Sequence, residues 1–223
     1  MRQQDHRVPL KRWRLLGLSG IQGPLTRYFY LAALVAFILL PAGARCEGWS
    51  PGEARAGWAK FALGFAGGIA AHEFGHYVVA RSKGYEVGRD GFSIIYPGAD
   101  FSPGDQLQVA SAGFQAQWLL AELVLRDGRG NGSEAPPGDL GAGVVCAHLA
   151  ITAAYLAYLK NHRQGDVAGM ASATGYSENR IALALAVPGV LDAWRLFGND
   201  VPEWVPELSA FGKGLGVAWI WTY

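Results

Sequence analysis

Two histidines and a glutamate within five residues form the clearest chemical pattern in this sequence. The segment AHEFGH, residues 71–76, has the spacing His-Glu-x-x-His. Residues four apart share one face of an α-helix, so His72 and His76 can reach the same metal ion. Glu73 would then lie beside the open coordination position and could take a proton from bound water. The pattern predicts a catalytic zinc site with His72 and His76 as ligands and Glu73 as general base.

The composition indicates where such a site would lie. Hydrophobic residues make up 51% of the 223-residue chain and charged residues only 17%, whereas soluble domains carry about a quarter charged residues. A formal net charge of +1, with no basic stripe beyond the N-terminal tail, excludes a nucleic-acid partner. Two cysteines are too few for a disulfide framework or a Cys-rich zinc site. These features favour a membrane protein with the lipid bilayer as a partner.

Five apolar stretches predict about five transmembrane helices, because a span needs about 20 residues. The expected fold class is therefore an all-α polytopic membrane protein. Residues 28–44 would be a signal anchor or first span after a basic cytoplasmic tail, residues 1–27, with a cleaved signal peptide as the alternative. The membrane core would occupy residues 58–200, and a Trp-rich interfacial tail residues 201–223. The four spans expected in the core, each with a buried soluble-core helix as its alternative, are 58–80, 107–125, 141–159 and 181–197.

Lys and Arg are more frequent in the segments that would share a side with the N-terminal tail. This bias predicts a cytoplasmic N-terminus, and we expect an integral protein of the bacterial inner membrane. Gly64, Gly67 and Gly68 in the second span would allow close helix packing in lipid.

Residues 84–106 differ from the stretches around them, because they are rich in Gly and Pro and contain a short β-prone run, residues 92–96. This composition predicts a strand or hairpin inserted after the second span. Bare strand edges are unstable in lipid, so we expect the insertion at the interface or against protein.

The segment HEFGHYVVARSKGYEV, residues 72–87, resembles the first motif of the site-2 protease family, the intramembrane zinc metalloproteases. In that family the motif lies on a transmembrane helix. A hairpin-like segment, a helix with a Gly-Pro-x-x-Asn pattern and a later Asp that is the third zinc ligand follow it. The same order of parts extends here over roughly residues 58–175. The resemblance implies a metalloprotease-like membrane core.

The family's second motif is matched by SAGFQAQWLL, residues 111–120, but with Phe114 at the Pro position and Gln117 at the Asn position. The resemblance implies that the Gln117 amide is a catalytic group that holds the developing oxyanion.

The third ligand has two candidates. Asp166 follows the fourth span in the expected order, whereas Asp192 has the family's Leu-Asp pair but comes one span later. At about 1.5 Å per helical residue, Asp192 would lie roughly 18 Å deep, while His72 and His76 lie roughly 12 Å and 6 Å from the cytoplasmic end of their helix. Because Asp166 enters from that same end, it is preferred, with Asp192 left open.

Three further residues have weaker claims to a role. His148 on an apolar helix is more typical of a packing residue than of a ligand. Glu122 is expected to be an interfacial carboxylate. Glu178 is a fallback ligand if the chain follows membrane zincins that use a downstream Glu.

The expected function is intramembrane zinc-dependent endopeptidase activity on membrane-anchored protein substrates, with an unwound substrate segment pairing to the strand at residues 92–96. One alternative is a catalytically inactive membrane scaffold or binding module that keeps the fold. Another is a metal transporter, which would need polar residues on several spans, and few are apparent. Glu73 favours the enzyme, because a metal-holding scaffold does not need a general base between its ligands.

Overall fold

The computed structural model describes Trp49 and residues 55–90, 93–127, 137–162 and 165–223. All of them belong to one compact unit, 41–223. The predicted basic tail, residues 1–27, and the predicted anchor, residues 28–44, lie outside the described residues.

The described chain is mostly helical, as predicted. In order, its elements are α1 (Arg55–Ser82), β1 (Gly88–Asp90), β2 (Ser93–Ile95), α2 (Pro103–Asp127), α3 (Asp139–Ala157), a 3-10 turn (Leu159–Asn161), α4 (Asp166–Thr174), α5 (Glu178–Phe197) and α6 (Trp204–Thr222). The helices α1, α2 and α5 cover three of the stretches that we expected to be spans, and α3 covers the fourth, 141–159, as far as Ala157. The Trp-rich tail forms α6, which packs against α2 and α5.

One of these helices, α3, is long and apolar enough to cross a membrane by length and composition. The buried core helix of a soluble protein passes the same test. The polytopic arrangement therefore remains a prediction. The structure shows a mainly α-helical bundle with a short hairpin.

Glycine brings α1 and α3 into close contact. A Cβ built on Gly68 would lie 2.6 Å from the Cβ of Ala147, and one built on Gly143 would lie 2.8 Å from the Phe65 nitrogen. No larger side chain fits there without moving a helix. The predicted role in close packing is thus confirmed for Gly64 and Gly68, but it is wrong for Gly67, which has nothing within 4 Å of such a Cβ.

The helix α1 ends in a Schellman arrangement that directs the chain into the hairpin. Tyr85 N–H donates to Ala80 O at 3.1 Å, and Gly84 N–H donates to Arg81 O at 3.0 Å. Gly84 has φ +83°, a conformation that glycine adopts without a steric cost. The strands β1 and β2 then pair antiparallel, with Gly88 opposite Ile95 and Asp90 opposite Ser93. The hairpin predicted after the His-Glu-x-x-His helix is confirmed.

The core of the bundle contains two apolar clusters. One joins α2, α4, α5 and α6 around Phe114, Val167 and Leu185. The other joins α2, α3 and α5 around Leu125, Val145 and Leu196. The first cluster fixes α4 against α2, and this contact brings residue 166 to α1.

Candidate metal centre

The helix α1 turns both histidines toward the bundle interior. His72 and His76 are each 4% exposed, whereas Phe74 on the opposite face is 63% exposed. The His72 ring lies against Gly113 of α2, where a Cβ would come within 2.5 Å of the imidazole. The His72 ring therefore fits against α2 only because residue 113 has no side chain.

Asp166, the first residue of α4, completes a compact triangle with the two imidazoles. Its Oδ2 lies 2.9 Å from Nε2 of His72 and 3.3 Å from Nε2 of His76. The two Nε2 atoms are 3.2 Å apart. These three atoms form a group that could hold a metal ion.

A hydrogen bond at Nδ1 of each ring directs the Nε2 lone pair toward the centre of the triangle. His76 Nδ1–H donates to the carbonyl oxygen of Val109 at 2.8 Å, and His72 Nδ1–H donates to Oε1 of Gln117 at 3.1 Å. In the neutral rings Nε2 is then an acceptor. Outer contacts of this kind typically fix the tautomer of metal-binding histidines.

Asp166 adds a third acceptor. Burial alone would raise the pKa of its carboxyl group, but when the His76 and His72 rings are protonated, their charge and Nε2–H donors hold that pKa below its ordinary value. Three acceptor atoms this close repel one another unless a proton or a cation lies among them. The donor set, two imidazole nitrogens and a carboxylate oxygen, fits a divalent transition metal.

Glu73 lies beside this triangle at a cavity of about 690 Å³. His76, Asp166 and Glu73 line one wall of the cavity, and Ile95 and Tyr96 from the hairpin line another. A peptide segment in this space would meet the triangle and the Glu73 carboxylate together.

Tyr96 gives the cavity a neutral hydrogen-bond donor. Burial raises the pKa of its phenol above the ordinary value, and the negative charges of Asp166 and Glu73 raise it further. The hydroxyl therefore keeps its proton at neutral pH.

Gln117 lies next to the triangle and outside the cavity lining. It is 2% exposed, and its Nε2 has no hydrogen-bond partner in the described part of the chain. Because its Oε1 accepts a hydrogen bond from His72 Nδ1–H, the Gln117 side chain is placed to orient the His72 ring. The oxyanion role stays a prediction.

Asp192 lies in a separate buried cluster. Its carboxylate contacts Lys213 Nζ at 2.6 Å, Arg195 Nη1 at 3.1 Å and Ser209 Oγ at 2.7 Å. Two cations beside it occupy the place that a metal ion would need. The geometry thus brings Asp166, and not Asp192, to the two histidines.

His148 and Glu122 belong to the same cluster. His148 Nε2 lies 3.6 Å from Asp192 Oδ2, which agrees with a packing role. Glu122 accepts hydrogen bonds from Arg195 at 2.7 Å and from Lys213 at 3.0 Å, and its expected place at a membrane interface stays a prediction. Glu178 begins α5 and is not part of the metal-binding group.

Sequence reasoning missed three features of the site. The Val109 carbonyl is invisible in a pattern of side chains, and Gly113 is one of 31 glycines. Tyr155, whose hydroxyl contacts the Asp166 backbone at 3.3 Å, is one of nine tyrosines. The available signal was indirect: Gly113 lies inside the segment that resembles the family's second motif.

Comparison with protein-family models, with curated proteins and with solved structures finds no significant match for this chain.

Proposed function

We propose that this protein is a zinc-dependent endopeptidase that cleaves membrane-anchored protein substrates. The observation that carries the proposal is the convergence of His72 Nε2, His76 Nε2 and Asp166 Oδ2 beside Glu73, at a cavity large enough for a peptide segment.

The size of the triangle supports zinc. Zinc bonds of about 2.0–2.1 Å in a tetrahedron place neighbouring ligand atoms about 3.3 Å apart. The three separations here are 2.9, 3.2 and 3.3 Å. The spacing of the three atoms therefore fits a tetrahedral zinc ion that His72, His76 and Asp166 would hold.

The proposed chemistry is hydrolysis of a peptide bond. When bound, zinc would lower the pKa of a water molecule to about 7 and polarise the scissile carbonyl. Glu73 takes a proton from the attacking water and passes it to the nitrogen of the departing amine. One water is consumed, and the products are a carboxylate and an ammonium group, which together carry both protons of that water. The Tyr96 hydroxyl is placed in the cavity to donate to the substrate carbonyl.

The strand β2 offers a way to present the peptide bond. Its residues Ile94 and Ile95 line the cavity, and within the described chain it pairs only with β1. An extended substrate segment could add to the free edge. This step matters because an intact helix engages its own peptide groups in hydrogen bonds.

The outer surface supports membrane insertion. Monomeric soluble proteins rarely expose large contiguous apolar patches. Many large apolar side chains on α1 and α6 are exposed, and they are Trp58, Leu63, Ile69, Phe74, Tyr77, Val78, Trp204, Leu208, Phe211, Leu215, Trp219 and Trp221. We propose that these surfaces face lipid in the bacterial inner membrane, with the N-terminus in the cytoplasm.

The test compares wild type with Glu73→Gln on a membrane-anchored reporter and measures zinc per chain in both. Glu73→Gln should keep the zinc, because Glu73 is not a ligand, and should lose cleavage. Glu86→Gln, a change at an exposed acidic residue of the same region, is the matched control and should cleave normally. Equal cleavage by wild type and Glu73→Gln would refute the peptidase, and absence of cleavage in both with zinc retained would favour the inactive scaffold.

A further inference from the structure

Tyr155 touches the candidate metal centre through the backbone of Asp166. The Asp166 N–H donates to the Tyr155 hydroxyl oxygen at 3.3 Å. The Tyr155 ring packs edge-on against Phe114 with centroids 5.2 Å apart, and Phe114 packs edge-on against His72 at 5.3 Å. Tyr155 thus contacts Asp166 directly and is linked to His72 through the Phe114 ring.

The start of α4 explains why this contact is needed. The first N–H groups of a helix have no partner within the helix, and a side chain at the N-cap usually satisfies one of them. The N-cap of α4 is Gly165, which makes no side-chain cap hydrogen bond. Since glycine has no side chain, the Tyr155 hydroxyl from α3 accepts from the first helical N–H in its place.

The helix start and the carboxylate belong to the same residue. Asp166 is the first residue of α4, and its Oδ2 lies 2.9 Å from His72 Nε2. Anchoring its N–H therefore fixes the distance of its carboxylate from both histidines. A zinc–oxygen bond is about 2 Å long, so moving the start of α4 by about 1 Å would shift the Asp166 carboxylate by about half a bond length.

We infer that Tyr155 is a positioning residue for metal binding: its hydroxyl caps α4 from outside and sets the place of the Asp166 carboxylate. This inference rests on the proposed metal site. It assigns Tyr155 no contact with the metal or with the scissile bond.

The test is Tyr155→Phe, which keeps the ring against Phe114 and removes only the oxygen. The matched control is Tyr158→Phe, because Tyr158 lies three residues further on and is 77% exposed. Zn²⁺ affinity is measured on the full-length protein by competition with a chromophoric chelator. Visible absorption of the Co²⁺-loaded protein reports the coordination geometry.

Loss of an outer contact typically weakens metal binding 10–100-fold. Tyr155→Phe should show a loss of about that size and an altered Co²⁺ spectrum, while Tyr158→Phe matches wild type in both. Wild-type affinity in Tyr155→Phe, or weaker binding with an unchanged Co²⁺ spectrum at saturation, would overturn the positioning role while leaving the peptidase proposal intact. Failure of wild type itself to bind Zn²⁺ or Co²⁺ would overturn the metal site and Tyr155's role together.

Discussion

Lys213 of α6 places its ammonium nitrogen 2.6 Å from the carboxylate of Asp192 on α5, and the two side chains are only 6% and 0% exposed. The same nitrogen lies 3.0 Å from Glu122 of α2. Arg195 contacts both carboxylates as well. The two acids and the two cations of this buried cluster join α2, α5 and α6, and His148 of α3 lies beside Asp192.

Lys213→Met should destabilise the protein strongly, because two buried carboxylates would then share one cation. Breaking a buried ion pair costs about 3–5 kcal/mol. Arg126→Met is the control: Arg126 contacts the same Glu122, but its side chain is 68% exposed, and exposed pairs contribute about 0–1 kcal/mol. Thermal unfolding in detergent measures both, and similar losses in the two variants would contradict the structural role of the cluster.

Asp166→Asn and Asp192→Asn should have opposite signatures. The first removes the charge of the proposed third ligand, so zinc per chain should fall while the fold is kept. The second should keep zinc and unfold at a lower temperature, because Lys213 and Arg195 lose a buried partner. Metal analysis and unfolding of both variants decide the matter, and zinc lost only from Asp192→Asn would reverse the ligand assignment.

Gly113→Ala should weaken zinc binding by at least tenfold. The added methyl would come within 2.5–2.6 Å of the atoms of the His72 ring, so the ring or α2 must move. Gly104→Ala lies on the same helix with nothing within 4 Å, and it should change stability by no more than about 1 kcal/mol with no effect on zinc. Chelator competition measures both, and unchanged binding in Gly113→Ala would show that the ring does not need this space.

Gln117→Leu separates two roles of one side chain. If Gln117 orients His72, the variant loses zinc affinity by about 10–100-fold, and Gln117→Glu, which keeps an oxygen acceptor, retains most of it. If Gln117 only holds the oxyanion, Gln117→Leu keeps zinc and loses cleavage. The control is Gln115→Leu, because Gln115 accepts from Trp221 at 2.8 Å and makes no contact with the histidines.

Added zinc should raise the unfolding temperature of wild type but not of His76→Ala. The proposed ligands His72 and Asp166 are 94 positions apart in the sequence, so zinc should bind the folded chain in preference to the unfolded one. A ligand that binds only the folded state stabilises it by about 2.7 kcal/mol at 100 times its Kd. An equal zinc-dependent shift in His76→Ala would place the metal elsewhere.

Local patterns made part of this architecture predictable. His72 and His76 are one helical turn apart, so their shared face follows from the sequence alone. The hairpin was predictable because a short β-prone run stands between residues rich in Gly and Pro, which favour turns. Asp166 was preferred by counting residues along helices, which works because helical rise is constant.

The buried charges were beyond such reasoning. Glu122, Asp192 and Lys213 each stand in a different segment, and nothing local to any of them indicates a partner. Only the packing of α2, α5 and α6 brings them together. Polar residues that the sequence places on separate helices thus meet at one place in the bundle.

The close contact between α1 and α3 leaves no room between these two helices near the Arg55 end of α1. A side chain larger than hydrogen at Gly64, Gly68 or Gly143 would overlap the facing helix. The space beside Glu73 lies toward the other end of α1, which carries Arg81 in its last turn. Under the proposed peptidase function, a substrate segment would therefore reach the cavity from that end of α1 and not through the contact between α1 and α3.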